Sequence, residues 1–140
     1  MIILDTDIVT LLDAERGTSF ENISRRLSNE PGPVVTTIIS FEEQTRGWLS
    51  FIATSKRLER EVEGYRRLHH LLEKYSIRPV LDFDDASASR YEELKRSRVR
   101  IGTMDLKIAA ICIAHDARLL TRNVRDFGAI PALRVENWVD

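Results

Sequence analysis

The chain opens on four apolar residues, Met1-Ile2-Ile3-Leu4, and breaks off at Asp5-Thr6-Asp7, the pattern of a short buried strand that surfaces at its carboxyl end. Short apolar or β-branched runs recur near 33–37, 79–81, 118–121 and 133–135, with helical periodicity between them. The predicted order is strand, helices, strand, helices, strand, helices, strand, short helix, strand. Such alternation makes the chain an α/β protein, built on a parallel or mostly parallel sheet of about five strands with helices on both faces. Glu30-Pro31-Gly32-Pro33 turns the chain into the second strand, and Pro131 punctuates the last connection.

Two helical segments stand out. Across 56–75, Leu58, Val62, Tyr65, Leu68, Leu71, Leu72 and Tyr75 recur at spacings of mostly three and four, so this segment is an amphipathic helix. It follows a helix from about Phe41 to Ala53, and the pair form a candidate arm whose apolar stripe either packs on the domain core or faces a partner. His69 and His70 are adjacent and cannot share one helical face, so they read as surface residues rather than ligands. The segment 105–115, DLKIAAICIAH, is apolar almost all round and predicts a buried helix beside the sheet, with Thr103 as its N-cap and Cys112 as core packing.

Composition narrows the class further. At 140 residues the chain suits one domain, 1–140, and 43% hydrophobic with 31% charged residues excludes a disordered or fibrous protein. The longest unbroken apolar stretch, Ile108 to Ala114, is too short to span a bilayer, and no basic segment precedes the first apolar run. One cysteine excludes an internal disulfide, and a cytoplasmic protein away from the membrane is expected.

The candidate chemistry lies in acids placed where strands end or helices begin. Asp5 is the clearest, because an acid at the end of a buried strand is itself partly buried and needs a partner. The others each have a local explanation. Glu43 follows Ser40 by three residues, as in a capping box. Asp105 suits the positive end of a helix, Asp7 is a possible cap for a helix beginning near Ile8, and Asp126 is a possible turn or cap residue. Taken together, four separate segments deliver acids to the carboxyl side of one sheet, where they repel one another unless a cation is present. A hard divalent ion, Mg²⁺ or Mn²⁺, suits an all-oxygen set, and no Cys or His cluster favours zinc. Thr121 and Asn123, where Leu119-Leu120 runs out, are candidates to support a carboxylate by hydrogen bonding, or simply to end the strand. The net charge of −1 argues against a nucleic-acid binder, but setting Asp5, Asp7, Glu43, Asp105 and Asp126 aside leaves the rest at +4. Arginines cluster at Arg96, Arg98 and Arg100 and at Arg118, Arg122 and Arg125.

ILDTD at 3–7, TTIISFEEQTRG at 36–47, RIGTMDLKIAAICIAH at 100–115 and LLTRNVRDFGAIPALRVENW at 119–138 resemble, in order and spacing, the PIN-domain nucleases, and within them the VapC-like toxins of type II toxin–antitoxin pairs. The resemblance implies a PIN-like three-layer sandwich, Mg²⁺- or Mn²⁺-dependent ribonuclease activity, an RNA substrate, a homodimer and a cognate antitoxin. It carries the acidic motif to Asp5, Glu43, Asp105 and Asp126, with Thr121, Asn123 and Asp7 as supporting residues. The spacing to Gly47 selects Glu43 over Glu42. Two rivals remain at this point. Asp5-Thr6-Asp7 also looks like the nucleophile and acid of a haloacid-dehalogenase-type phosphatase, although no later lysine completes it. Alternatively, the acids are only caps and 41–75 is the surface of a non-catalytic RNA- or protein-binding module.

Overall fold

The computed structural model describes residues 1–139. Five strands, β1 (Ile2–Leu4), β2 (Val34–Thr37), β3 (Val80–Leu81), β4 (Arg118–Leu120) and β5 (Arg134–Glu136), lie in the order β3-β2-β1-β4-β5. All four pairings are parallel, so the sheet is wholly rather than mostly parallel. Among the described residues seven helices connect the strands: α1 (Thr6–Asp13), α2 (Thr18–Ser28), α3 (Ile38–Thr54), α4 (Leu58–Ile77), α5 (Asp85–Arg96), α6 (Thr103–Ala114) and α7 (Val124–Phe127).

The two-residue period of a strand explains the layers. Ile3 points to one face, where Val35, Leu119, Ile108, Ile111 and Phe127 bury it. Ile2 and Leu4 point to the other, against Ile8, Val9, Ile23 and Trp138. The central strands are therefore apolar on both sides and read as unbroken hydrophobic runs. Helix α6 is buried through Leu106, Ile108, Ala109, Ala110, Ile111 and Cys112, as its uniform apolarity requires. Among the described residues no helix is long and apolar enough to cross a membrane.

Four local expectations fail. Helix α6 begins at Thr103, with Gly102 in the cap position and no side-chain cap, so Thr103 is the first helical residue rather than the N-cap. Helix α3 begins at Ile38, three residues before the expected Phe41; Thr37 is its N-cap, accepting from the Ser40 N–H at 3.2 Å. Ser40 is thus inside the helix and fully buried, and no Ser40–Glu43 capping box exists. Asp7 does not cap α1 either. That place belongs to Asp5, whose side chain accepts from the Thr6 N–H at 2.8 Å.

Helices α3 and α4 pack as the expected pair, but the α4 stripe does not sit on the core. Leu71 is buried, whereas Leu58, Val62, Tyr65 and Leu72 are exposed, Leu58 to 72%. The two helices close on Gly64, where a Cβ would stand 2.5 Å from Ile52 Cγ1 and 2.9 Å from Phe51 Cδ1. Gly64→Ala gains about 1 kcal/mol of helix propensity but forces the Ile52 and Phe51 side chains to shift, at about 1–3 kcal/mol. Urea unfolding is expected to show a net loss of about 1 kcal/mol, and a stabilised variant would contradict this packing.

Candidate active site

The strand order reverses direction between β1 and β4, so the crevice above their carboxyl ends is the topological switch point at which open α/β sheets bind ligands. Asp5 sits at the end of β1 and Thr121 at the end of β4, both buried. The Asp5 N–H bonds to the Leu120 carbonyl at 2.9 Å, which locks the two strand ends together. Thr121 Oγ1 donates to Asp5 Oδ2 at 2.7 Å and accepts from the Asn123 N–H at 3.0 Å. Both Asp5 oxygens are therefore held, Oδ1 by Thr6 and Oδ2 by Thr121.

Glu43 and Glu42 part company on α3. Thr6 Oγ1 donates to Glu43 Oε1 at 2.6 Å, while Glu42 pairs with Arg46 at 2.6 Å on the outer face. Asp105 lies in the first turn of α6 and Asp126 in the first turn of α7, where Asn123 Nδ2 donates to Asp126 Oδ2 at 3.1 Å. Asp126 is exposed. Asp7 Oδ2 accepts from the Arg122 N–H at 3.2 Å, and Asp7 Oδ1 is buried with no hydrogen-bond partner.

The electrostatics tie these groups together. Burial pushes the Asp5 carboxyl up to about 7; the Thr121 and Thr6 bonds oppose the rise, and the charges of Asp7 and Asp105 add to it. Burial also raises Asp105, and the charges of Glu43, Asp126 and Asp7 raise it further. The structure thus brings Asp5, Asp7, Glu43, Asp105 and Asp126 within reach of one another's fields, with no cationic side chain among the causes of either shift. An all-oxygen donor set, mutual repulsion and an orphaned buried oxygen on Asp7 fit a hard divalent cation. Among the described residues no three His, Cys, Asp or Glu side chains are grouped closely enough to hold one ion. A hard cation held here would complete its shell with water, as Mg²⁺ commonly does.

Other candidates lie apart. His69 and His70 are exposed, His69 facing Glu73 at 3.4 Å. Cys112 is buried in α6 and its thiol is raised, mainly by burial, so it is core packing rather than a nucleophile. Arg118 is occupied by Glu30 and Glu136, at 2.7 and 2.8 Å. Arg96, Arg98 and Arg100 are exposed on the approach to α6, Arg98 in a left-handed backbone conformation with φ 61°. Two residues in this network were not among the expected site residues: Thr6, between two acids, and Ser40, expected only as a cap, whose Oγ lies 2.9 Å from Thr6 Oγ1.

The fold and these acids define a PIN domain: the PIN-domain sequence profile matches residues 2–133, and the chain belongs to that family. Among curated proteins it is similar to Ribonuclease VapC2 of Rickettsia felis, 29% identical over 139 residues that cover 96% of each chain. Among solved structures it is similar to VapBC2 from Rickettsia felis bound to a DNA fragment from their promoter, with a TM-score of 0.71, 28% identity and 99% of each chain covered. VapBC-1 from nontypeable Haemophilus influenzae gives a TM-score of 0.72 at 28% identity, with 100% of each chain covered.

Proposed function

We propose that this chain is a divalent-metal-dependent endoribonuclease, the toxin of a VapC-like toxin–antitoxin pair, acting as a single domain over 1–140 in the cytoplasm. The carrying observation is the set of mutually repelling carboxylates at the sheet's switch point, with oxygen donors alone. Likeness over nearly the whole chain to Ribonuclease VapC2 and to VapBC complexes supports the substrate class and the antitoxin partner.

In this reading Asp5 and Asp105 are the inner ligands, and Glu43 and Asp126 complete the set directly or through water. When bound, Mg²⁺ or Mn²⁺ supplies an acidified water and offsets charge on the phosphate. The chain's own part is to hold the acids in place. Thr121 fixes Asp5, Asn123 fixes Asp126 and Asp7 adds negative charge beside them. Hydrolysis adds water across one P–O bond of the RNA, so no side chain becomes covalently attached. Arg96, Arg98 and Arg100 suit contacts with the flanking phosphates. The exposed apolar residues of α4 offer area to a protein partner, the antitoxin or a second copy.

Purified, antitoxin-free protein is expected to cut a mixed RNA pool internally with Mg²⁺ or Mn²⁺ and to stop when chelator is added. Cutting that chelator leaves untouched, or release of phosphate from a monoester with the RNA intact, would refute the proposal.

A further inference from the structure

Asp5 is held by the Thr121 hydroxyl; Glu43 is held by a different device. Thr6 Oγ1 contacts both Glu43 Oε1, at 2.6 Å, and Ser40 Oγ, at 2.9 Å. A threonine hydroxyl has one proton, and an ionised carboxylate only accepts. With the Thr6 proton directed at Glu43, the Ser40 contact runs one way: Ser40 donates to Thr6, and Thr6 donates to Glu43. Ser40 is fully buried, and its backbone is fixed by the Thr37 cap at the start of α3, so the head of this relay is shielded from water. Thr6 is equally constrained. Its N–H is committed to Asp5 Oδ1, and its carbonyl accepts from Thr10 Oγ1, which in turn accepts from Gln44 Nε2 at 3.2 Å. Helices α1 and α3 are thus joined at two successive turns, Thr6 to Glu43 and Thr10 to Gln44.

We infer that Thr6 and Ser40 are positioning residues for the metal site: the Ser40–Thr6 relay holds Glu43 Oε1 and leaves Oε2 as the oxygen offered to a cation. Thr6 then serves two acids at once, Asp5 through its backbone and Glu43 through its hydroxyl. The inference rests on Glu43 belonging to the cation site proposed above. Its chemistry is that of an outer-shell donor, whose loss typically lowers metal affinity by about 10–100-fold.

The test is Mn²⁺ titration by calorimetry of chelator-stripped protein, comparing wild type with Thr6→Val, Thr6→Ser and Ser40→Ala. Thr6→Val keeps the shape and loses the hydroxyl. It is expected to bind Mn²⁺ about 10–100-fold more weakly, with Thr6→Ser within about threefold of wild type and Ser40→Ala between them. Cleavage by Thr6→Val should recover towards the wild-type rate as Mn²⁺ is raised, a response that a merely structural contact would not produce. Wild-type affinity in Thr6→Val, or a loss in Thr6→Ser as large as in Thr6→Val, would overturn the inference. Should Thr6→Val fail to fold, Ser40→Ala decides from the other side of the relay: unchanged affinity there rejects it. Wild-type protein that binds no Mn²⁺ would remove the proposed metal site itself, an outcome distinct from wild-type binding that the Thr6 and Ser40 variants share.

Discussion

Asp105→Asn and Asp5→Asn are each expected to lower metal-dependent RNA cleavage by at least about a thousandfold, equivalent to about 4 kcal/mol of barrier, without loss of fold. The size follows from what is removed: a formal charge that holds the cation and, through it, offsets charge on the phosphate. The fold should survive because Asn keeps the shape of Asp. At Asp5 its oxygen still accepts one of the two bonds from Thr6 and Thr121. The neighbouring glutamates provide the control. Glu43→Gln is expected to lose most activity, whereas Glu42→Gln, removed from an exposed pair with Arg46, should stay within about twofold of wild type. An Asp105→Asn enzyme with full activity and unchanged metal dependence would refute the site.

The second large effect is on stability and has the opposite sign. Asp5 titrates near 7 in the folded protein against an ordinary value of 3.8, so the folded state holds this proton more tightly than the unfolded chain. Stability contributed by the protonated carboxyl is complete below about pH 4, is lost as pH rises through about 7, and is absent above that. A three-unit rise corresponds to about 4 kcal/mol, less whatever the folded protein relaxes. Asp105 shifts in the same direction and adds to the trend. Metal-free wild type should therefore melt at progressively lower temperature from pH 5 to pH 8. Asp5→Asn should be flatter and, in chelator at pH 8, more stable by about 5 °C or more. Mn²⁺ should reverse the order by stabilising wild type most where the acids are ionised, at pH 8 rather than pH 5. Thermal melts in chelator and in Mn²⁺ at the two pH values check all three points. A wild-type Tm that rises with pH in chelator would contradict the electrostatic account.

Much of the architecture was legible because the signals are periodic and redundant. Met1-Ile2-Ile3-Leu4 against Asp5 marks a buried strand and its open end, and the order of strands and helices follows from alternating patterns. The failures have physical causes. Thr36-Thr37-Ile38-Ile39 is a β-branched run that continues to look like strand, yet Thr37 ends β2 and caps α3 at once, so the helix begins three residues early. Gly102-Thr103 offers two cap candidates in a row, and the hydroxyl lost. The spacing of Leu58, Val62, Tyr65 and Leu72 defines a stripe but cannot say what covers it, and among the described residues these four stay largely exposed.

The acidic cluster was readable only in part. Asp5 announces itself by position, whereas the choice between Glu42 and Glu43 came from spacing to Gly47, a matter of resemblance rather than physics. Thr6 carried no signal and Ser40 read only as a cap, because a hydroxyl's value depends on partners 37 and 34 residues away in sequence.

The most direct test is a crystal of the protein soaked in Mn²⁺ and examined at the metal's absorption edge. The account predicts an anomalous peak above the carboxyl ends of β1 and β4, bonded at about 2.1 Å to Asp5 or Asp105 oxygen, with water in its other places. A peak elsewhere, or none at saturating Mn²⁺, would contradict a metal nuclease centre at these acids.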